Sequence, residues 1–138
     1  MKLLLVAVWV TVLLGGHANE ADACSCASAA PPCEAFWQAT TVFTGEVTAL
    51  TSGARGETTF TVGEVLRGKV GATVVVYGTG STCAYPFLQG KSYIVYAKQS
   101  PTGLLVASMC SRTALLPAAG EDLAYVRALP RRAIAFVE

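Results

Sequence analysis

The chain opens on a single apolar stretch and then changes rhythm. Leu3 to Leu14 is apolar at every position except Thr11, with Lys2 ahead of it and small residues behind it. That run is shorter than the about 20 residues a membrane-spanning helix needs. A basic start, a short apolar centre and the small residues Ala21 and Ala23 form the pattern of a secretory signal over residues 1–23, cut after Ala23. A rival cut lies after Ala18 in Gly16-His17-Ala18. Residues 24–138 are then expected to be one secreted domain, periplasmic or cell-surface in a bacterial host. No membrane attachment is expected once the signal is gone.

Past the signal the pattern becomes short and mostly two-fold. Ala27 to Pro32 is small-residue and proline sequence, predicted to run as an extended arm. Residues 33–40 are predicted as a short helix, with Phe36 and Trp37 packing inward. Strand signals follow at a regular beat. They cover Thr41–Leu50, Thr58–Leu66, Ala72–Tyr77, Ser92–Ala97 and Leu104–Met109. Turns are marked by Ser52-Gly53-Ala54-Arg55-Gly56 and by Arg67-Gly68-Lys69 with Gly71. A glycine-containing loop spans Gly78–Thr82. In the second strand Phe60 and Val62 alternate, and the phase slips to Val65 near Gly63, the signature of a β-bulge. The third strand looks buried around Val74-Val75-Val76. After Pro117 a helical period appears over Glu121–Leu129, with Leu123, Val126 and Leu129 on one face and Pro130 as its stop. The expected fold is mainly β: a five-stranded barrel of the oligonucleotide/oligosaccharide-binding (OB) type with a short helix near each end. A β-sandwich is the alternative.

Charge and side-chain chemistry then remove function classes. Without residues 1–23 the chain keeps nine basic and seven acidic residues, a formal net charge of +2. Arg131 and Arg132 are the only adjacent basic pair, so no basic stripe marks a nucleic-acid surface. His17, the one histidine, falls inside the signal. The mature chain therefore lacks the imidazole of Ser-His-Asp and Cys-His catalysis and of histidine zinc sites. Glu34, Glu46, Glu57, Glu64, Glu121 and Asp122 are scattered and read as solvated charges rather than a carboxylate pair. There is no phosphate-binding loop or dinucleotide fingerprint. A non-enzyme without a cofactor is expected.

The five cysteines, at 24, 26, 33, 83 and 110, all follow the signal. In an exported chain the default is disulfides, and an odd count leaves at least one thiol free or paired with another molecule. The residues themselves leave the connectivity open. They also leave three uses for Cys24 and Cys26: purely structural disulfides, a thiol metal or redox site with Cys33, or disulfides that serve a function. A cut after Ala23 would make Cys24 the first residue, with a free α-amino group.

Cys24-Ser25-Cys26, then Pro31-Pro32, Ala35-Phe36 and a β-run, resemble the mature start of the tissue inhibitors of metalloproteinases. The resemblance continues in Ser81-Thr82-Cys83-Ala84-Tyr85, Phe87 and Gly90, and in Gly103-Leu104-Leu105 ahead of Cys110. It covers most of residues 24–110. It implies a netrin-like module, disulfides Cys24–Cys83 and Cys26–Cys110, and inhibition of a zinc metalloendopeptidase as partner. The backbone amine and carbonyl of Cys24 would chelate the target's zinc. Ser25, Cys26, Ala27, Ser81, Thr82, Cys83 and Ala84 would line the target cleft. The chain departs from the vertebrate pattern in three ways. No cysteine follows Cys110, Trp37 stands where a third half-cystine would align, and no disulfide-rich second domain follows. Cys33 is thereby unassigned, in a monomer or as the link of a dimer. A non-inhibitory extracellular netrin-like interaction module is the alternative function.

Overall fold

Two strands bury neighbouring residues without a break, and this alone dictates two apolar layers. Side chains of successive strand residues point to opposite faces. Strand β1 (Thr41–Leu50) buries Val42 and Phe43 side by side, and β4 (Ser92–Gln99) buries every residue from Tyr93 to Ala97. The computed structural model describes residues 23–130 and shows where each face goes. Phe43, Val47, Tyr93, Val95 and Ala97 turn into one cluster with Phe60, Val76 and Ala107. Val42, Ile94 and Tyr96 turn the other way, onto Phe36, Ala39, Ala119 and Val126. The first cluster fills the inside of a barrel. The second lies between its outer wall and the two helices.

The barrel closes through five strands. Strands β2 (Glu57–Arg67), β3 (Thr73–Tyr77) and β5 (Leu105–Val106) complete the ring in the order β1-β2-β3-β5-β4, with β4 returning to β1. All pairings are antiparallel except β3 with β5, which is parallel. A two-residue strand β6 (Ala114–Leu115) adds to the far side of β4. The protein is a mainly β, closed five-stranded mixed barrel of the OB type, with two short helices. Inside, Phe60 meets Phe43, Phe87 and Tyr93 edge to face, with centroids 5.0–6.5 Å apart. That is the geometry aromatic quadrupoles favour.

The bulge signal at Gly63 corresponds to a register shift: Thr44 faces Glu64 while Gly45 faces Val62. Gly45 itself is required by close approach, since a Cβ there would lie 2.9 Å from the carbonyl oxygen of Thr61. A second shift at Leu66 turns that residue under the helices and leaves Val65 40% exposed, so Val65 does not continue the buried row.

Helix α1 (Pro32–Gln38) starts with proline in its first turn, where the missing N–H costs nothing. Its end is held by Arg67, whose Nε donates to the Ala39 carbonyl at 2.8 Å, a cation at the negative helix terminus. Phe36 is buried as expected. Trp37 does not pack inward: it is 44% exposed, lies over the Arg67 guanidinium at 4.8 Å and donates its indole N–H to the Tyr125 hydroxyl. A helix this short has one inward face, and Pro32 and Phe36 fill it. Helix α2 (Gly120–Ala128) follows a 3-10 turn (Leu116–Ala118), and Leu129 is already extended ahead of Pro130.

The expected fifth strand over 104–109 is cut to Leu105–Val106. Beyond Val106 the backbone leaves the β4 ladder. Ala107 donates to Tyr77, and Met109 donates to Cys83 at 2.9 Å. Among the described residues, no helix is long and apolar enough to cross a membrane. The expected signal segment, with His17 and both candidate cuts, and the Arg131-Arg132 pair lie outside the described residues apart from Ala23.

Candidate functional site

At one end of the barrel, chain segments far apart in sequence are locked side by side. The β1–β2 turn comes first. It accepts two hydrogen bonds from the segment after β3, from Gly78 to the Gly56 carbonyl at 3.0 Å and from Gly80 to the Ala54 carbonyl at 2.9 Å. Gly78 has no room for a side chain, because a Cβ would collide with the Ala54 carbonyl. The loop that follows is braced by its own hydroxyls. Thr79 and Ser81 share a 2.9 Å hydrogen bond, and the Ser81 Oγ accepts from the Cys83 N–H at 3.2 Å. Next, Ala84 and Ser108 form an isolated bridge, and with the Met109-to-Cys83 bond it places Cys83 beside Cys110.

Onto this paired platform the N-terminal arm is bonded twice. Cys24 is joined to Cys83 and Cys26 to Cys110, with Cα separations of 5.0 and 5.2 Å. These are the two pairs the resemblance implied. The bridges touch, with the Cys24 and Cys110 sulfurs 3.6 Å apart. The Cys24, Cys83 and Cys110 sulfurs all lie within 4.8 Å of one another, but each is spent in an S–S bond, so no thiolate set is formed there. Cys33 is a free thiol, exposed on α1.

The result is a ridge of two strips. Ser25, Cys26 and Ala27 form one, exposed, with Cys24 half-buried at its root. Ser81 and Thr82 form the other, also exposed, running into half-buried Cys83 and Ala84. All of the residues expected to line a target cleft are thus brought together. Among the described residues, no backbone–backbone hydrogen bond ties residues 24–30 to the barrel, so the backbone groups of Cys24 are not committed to the sheet. A recess of about 310 Å³ opens behind the arm, between Ala30, Ala35, Ala39, Cys110 and Arg112.

One cluster beside the ridge was not anticipated. Asp122 is not a solvated charge: it is 4% exposed at the start of α2. Its carboxylate accepts from Arg112 at 2.6 and 2.8 Å and from the Tyr96 hydroxyl at 2.6 Å. Arg112 also reaches Glu121 at 2.7 Å and the Ala30 carbonyl at 3.2 Å. Burial pushes the Asp122 carboxyl up, yet the hydrogen bonds from Arg112 and Tyr96 outweigh it and hold the group below the usual carboxylate range. Burial, then the bond to Asp122, raises the Tyr96 hydroxyl well above the ordinary phenol. The bond to Asp122 likewise raises Arg112, which stays charged at any physiological pH. A signal for Asp122 was present in the sequence, since it shares a face with Val126 and Leu129 at i+4 and i+7. Nothing local marked Arg112 as its partner.

The fold and site together define a class: an OB-type barrel carrying an N-terminal arm bonded twice beside one loop. Compared by sequence with known proteins, the chain matches no family model and no curated protein.

Proposed function

We propose that the protein is a secreted inhibitor of zinc metalloendopeptidases, acting through Cys24. The observation that carries this reading is the double attachment of a Cys-Ser-Cys arm beside an exposed loop, which orders a narrow binding edge before any partner arrives. Ordering in advance lowers the entropy lost on association.

The chemistry starts from the target. A catalytic zinc keeps an exchangeable water beside three protein ligands. With the signal cut after Ala23, Cys24 would offer an α-amine and, three bonds away, its carbonyl oxygen. The two atoms close a five-membered chelate and displace the water. An amine binds metal only when neutral, and its reference pKa of about 7.7–8.0 makes that form accessible near neutral pH. An internal amide nitrogen could not replace it, because its lone pair is delocalised into the peptide bond. Ser25 would enter the pocket beside the zinc, with Cys26 and Ala27 continuing along the cleft. Ser81, Thr82, Cys83 and Ala84 would contact its other side. The metal belongs to the target, so the chain needs no cofactor.

The test has two parts. Mass and N-terminal sequence of the secreted protein should place Cys24 first. Titration against a panel of zinc endopeptidases should then give tight one-to-one inhibition of at least one. A mature chain that begins upstream, or no inhibition across the panel, would reject this reading in favour of the non-inhibitory netrin-like interaction module.

A further inference from the structure

The arm leaves the barrel's own hydrogen-bond ladders unused, so something else must fix its far half. Cys26 is held covalently, and Pro31 begins the helical turn by accepting from Glu34 and Ala35. Between them Ala27, Ser28 and Ala29 are exposed, and a recess opens beside Ala30. A polar side chain does reach this stretch from the body of the domain: Arg112, whose Nη1 donates to the Ala30 carbonyl at 3.2 Å. Its Nε and Nη2 are engaged by Asp122 and Glu121. A guanidinium locked by a buried carboxylate has little freedom left, so its third edge is aimed at the arm. Arg112 also stands two residues after Cys110, so the second covalent hold and the non-covalent hold on the arm come from the same loop.

We infer that Arg112, oriented by Asp122, is a positioning residue that fixes residues 27–30 of the arm and so sets the path of the ridge beyond Cys26. The consequence for inhibition rests on the function proposed above; the consequence for the arm does not. Loosening Arg112 would let Ala27 and its neighbours sample many paths, and the target would have to order them on binding.

Two variants of the mature protein separate this from a general loss of stability. Arg112→Lys keeps a cation against Asp122 but has no planar fork to span both the carboxylate and Ala30. Tyr96→Phe removes a buried bond to Asp122 while leaving the Arg112–Ala30 contact in place. Backbone 15N order parameters and inhibition are read on both. In Arg112→Lys, the order parameters of residues 27–30 should fall while those of β1 and β4 stay as in the wild type, and inhibition should weaken roughly tenfold. Tyr96→Phe should melt lower yet inhibit as the wild type does. Unchanged order parameters of residues 27–30 in Arg112→Lys would overturn the assignment. So would lowered order parameters with undiminished inhibition, or an equal loss of inhibition in Tyr96→Phe. If the wild type inhibits nothing while the order-parameter result holds, the positioning role stands and the inhibitory reading fails.

Discussion

Removing the Cys26–Cys110 bridge alone, as the pair Cys26→Ser and Cys110→Ser, tests the attachment of the arm with a magnitude fixed by chain topology. The two residues are exposed, so the change loses little packing and acts mainly on the unfolded chain. Taken singly, a cross-link spanning 84 residues would be worth about 4.6 kcal/mol on the chain-entropy model. The Cys24–Cys83 bridge already closes most of that loop. With it in place, the shortest path between Cys26 and Cys110 is two residues back along the arm, across the bridge, and on from Cys83, roughly 30 residues in all. The second bond then contributes about 3.5 kcal/mol. For a domain of this size that lowers the melting temperature by roughly 15 °C. Thermal and urea unfolding without reductant would measure it, with mass analysis after alkylation to show that Cys24–Cys83 is intact. A loss below about 1 kcal/mol would refute the reasoning, because the arm would then restrict the unfolded chain far less than the topology requires.

Three further outcomes follow from particular contacts. Asp122→Asn should cost about 3 kcal/mol at neutral pH, the low end for a broken buried pair because Arg112 can still reach water. Since the Asp122 pKa is lowered by folding, its contribution is fully present above the unfolded value of about 3.9 and is lost as pH falls through the lower folded value; urea midpoints of the two proteins should therefore converge in strong acid, and a constant gap down to pH 2 would contradict the assignment. Phe60→Ala, at 0% exposure among Phe43, Phe87 and Tyr93, should cost about 3–5 kcal/mol by urea unfolding, and a loss under 1 kcal/mol would place Phe60 outside the barrel core. Thiol titration of the folded, non-reduced protein should find one reactive group per chain, abolished by Cys33→Ser; none at all in the monomer would contradict the exposed free thiol.

The strands were legible wherever one rule governed a segment. β-rich composition located Thr41–Leu50 to the residue, and Gly63 announced the bulge in β2. What stayed hidden was set by partners distant in sequence. Trp37 is as apolar as Phe36, and only the position of Arg67 decides that the indole lies over a cation instead of in the core. Leu104–Met109 has strand composition throughout, but its second half bonds to the Cys83 loop, a choice made by the disulfide-bearing segments. Asp122 shares a helix face with Val126, yet nothing near it in sequence shows that Arg112 and Tyr96 supply the partners that let a carboxylate be buried there. For the site, the residues and a resemblance named Cys24 to Ala27 and Ser81 to Ala84. Their juxtaposition depends on the Ala84–Ser108 bridge and on bonds from the β1–β2 turn, which no local pattern encodes.

The central claim concerns one nitrogen atom, and a single added residue addresses it. A mature protein beginning at Cys24 and a variant with one extra alanine ahead of it should share the same disulfides and the same melting curve. They differ in that the Cys24 nitrogen becomes an amide, which cannot donate its lone pair to zinc. Titrated side by side against an inhibited zinc endopeptidase, the first is predicted to inhibit at one-to-one stoichiometry and the second to lose inhibition. Equal potency of the two would contradict chelation by Cys24.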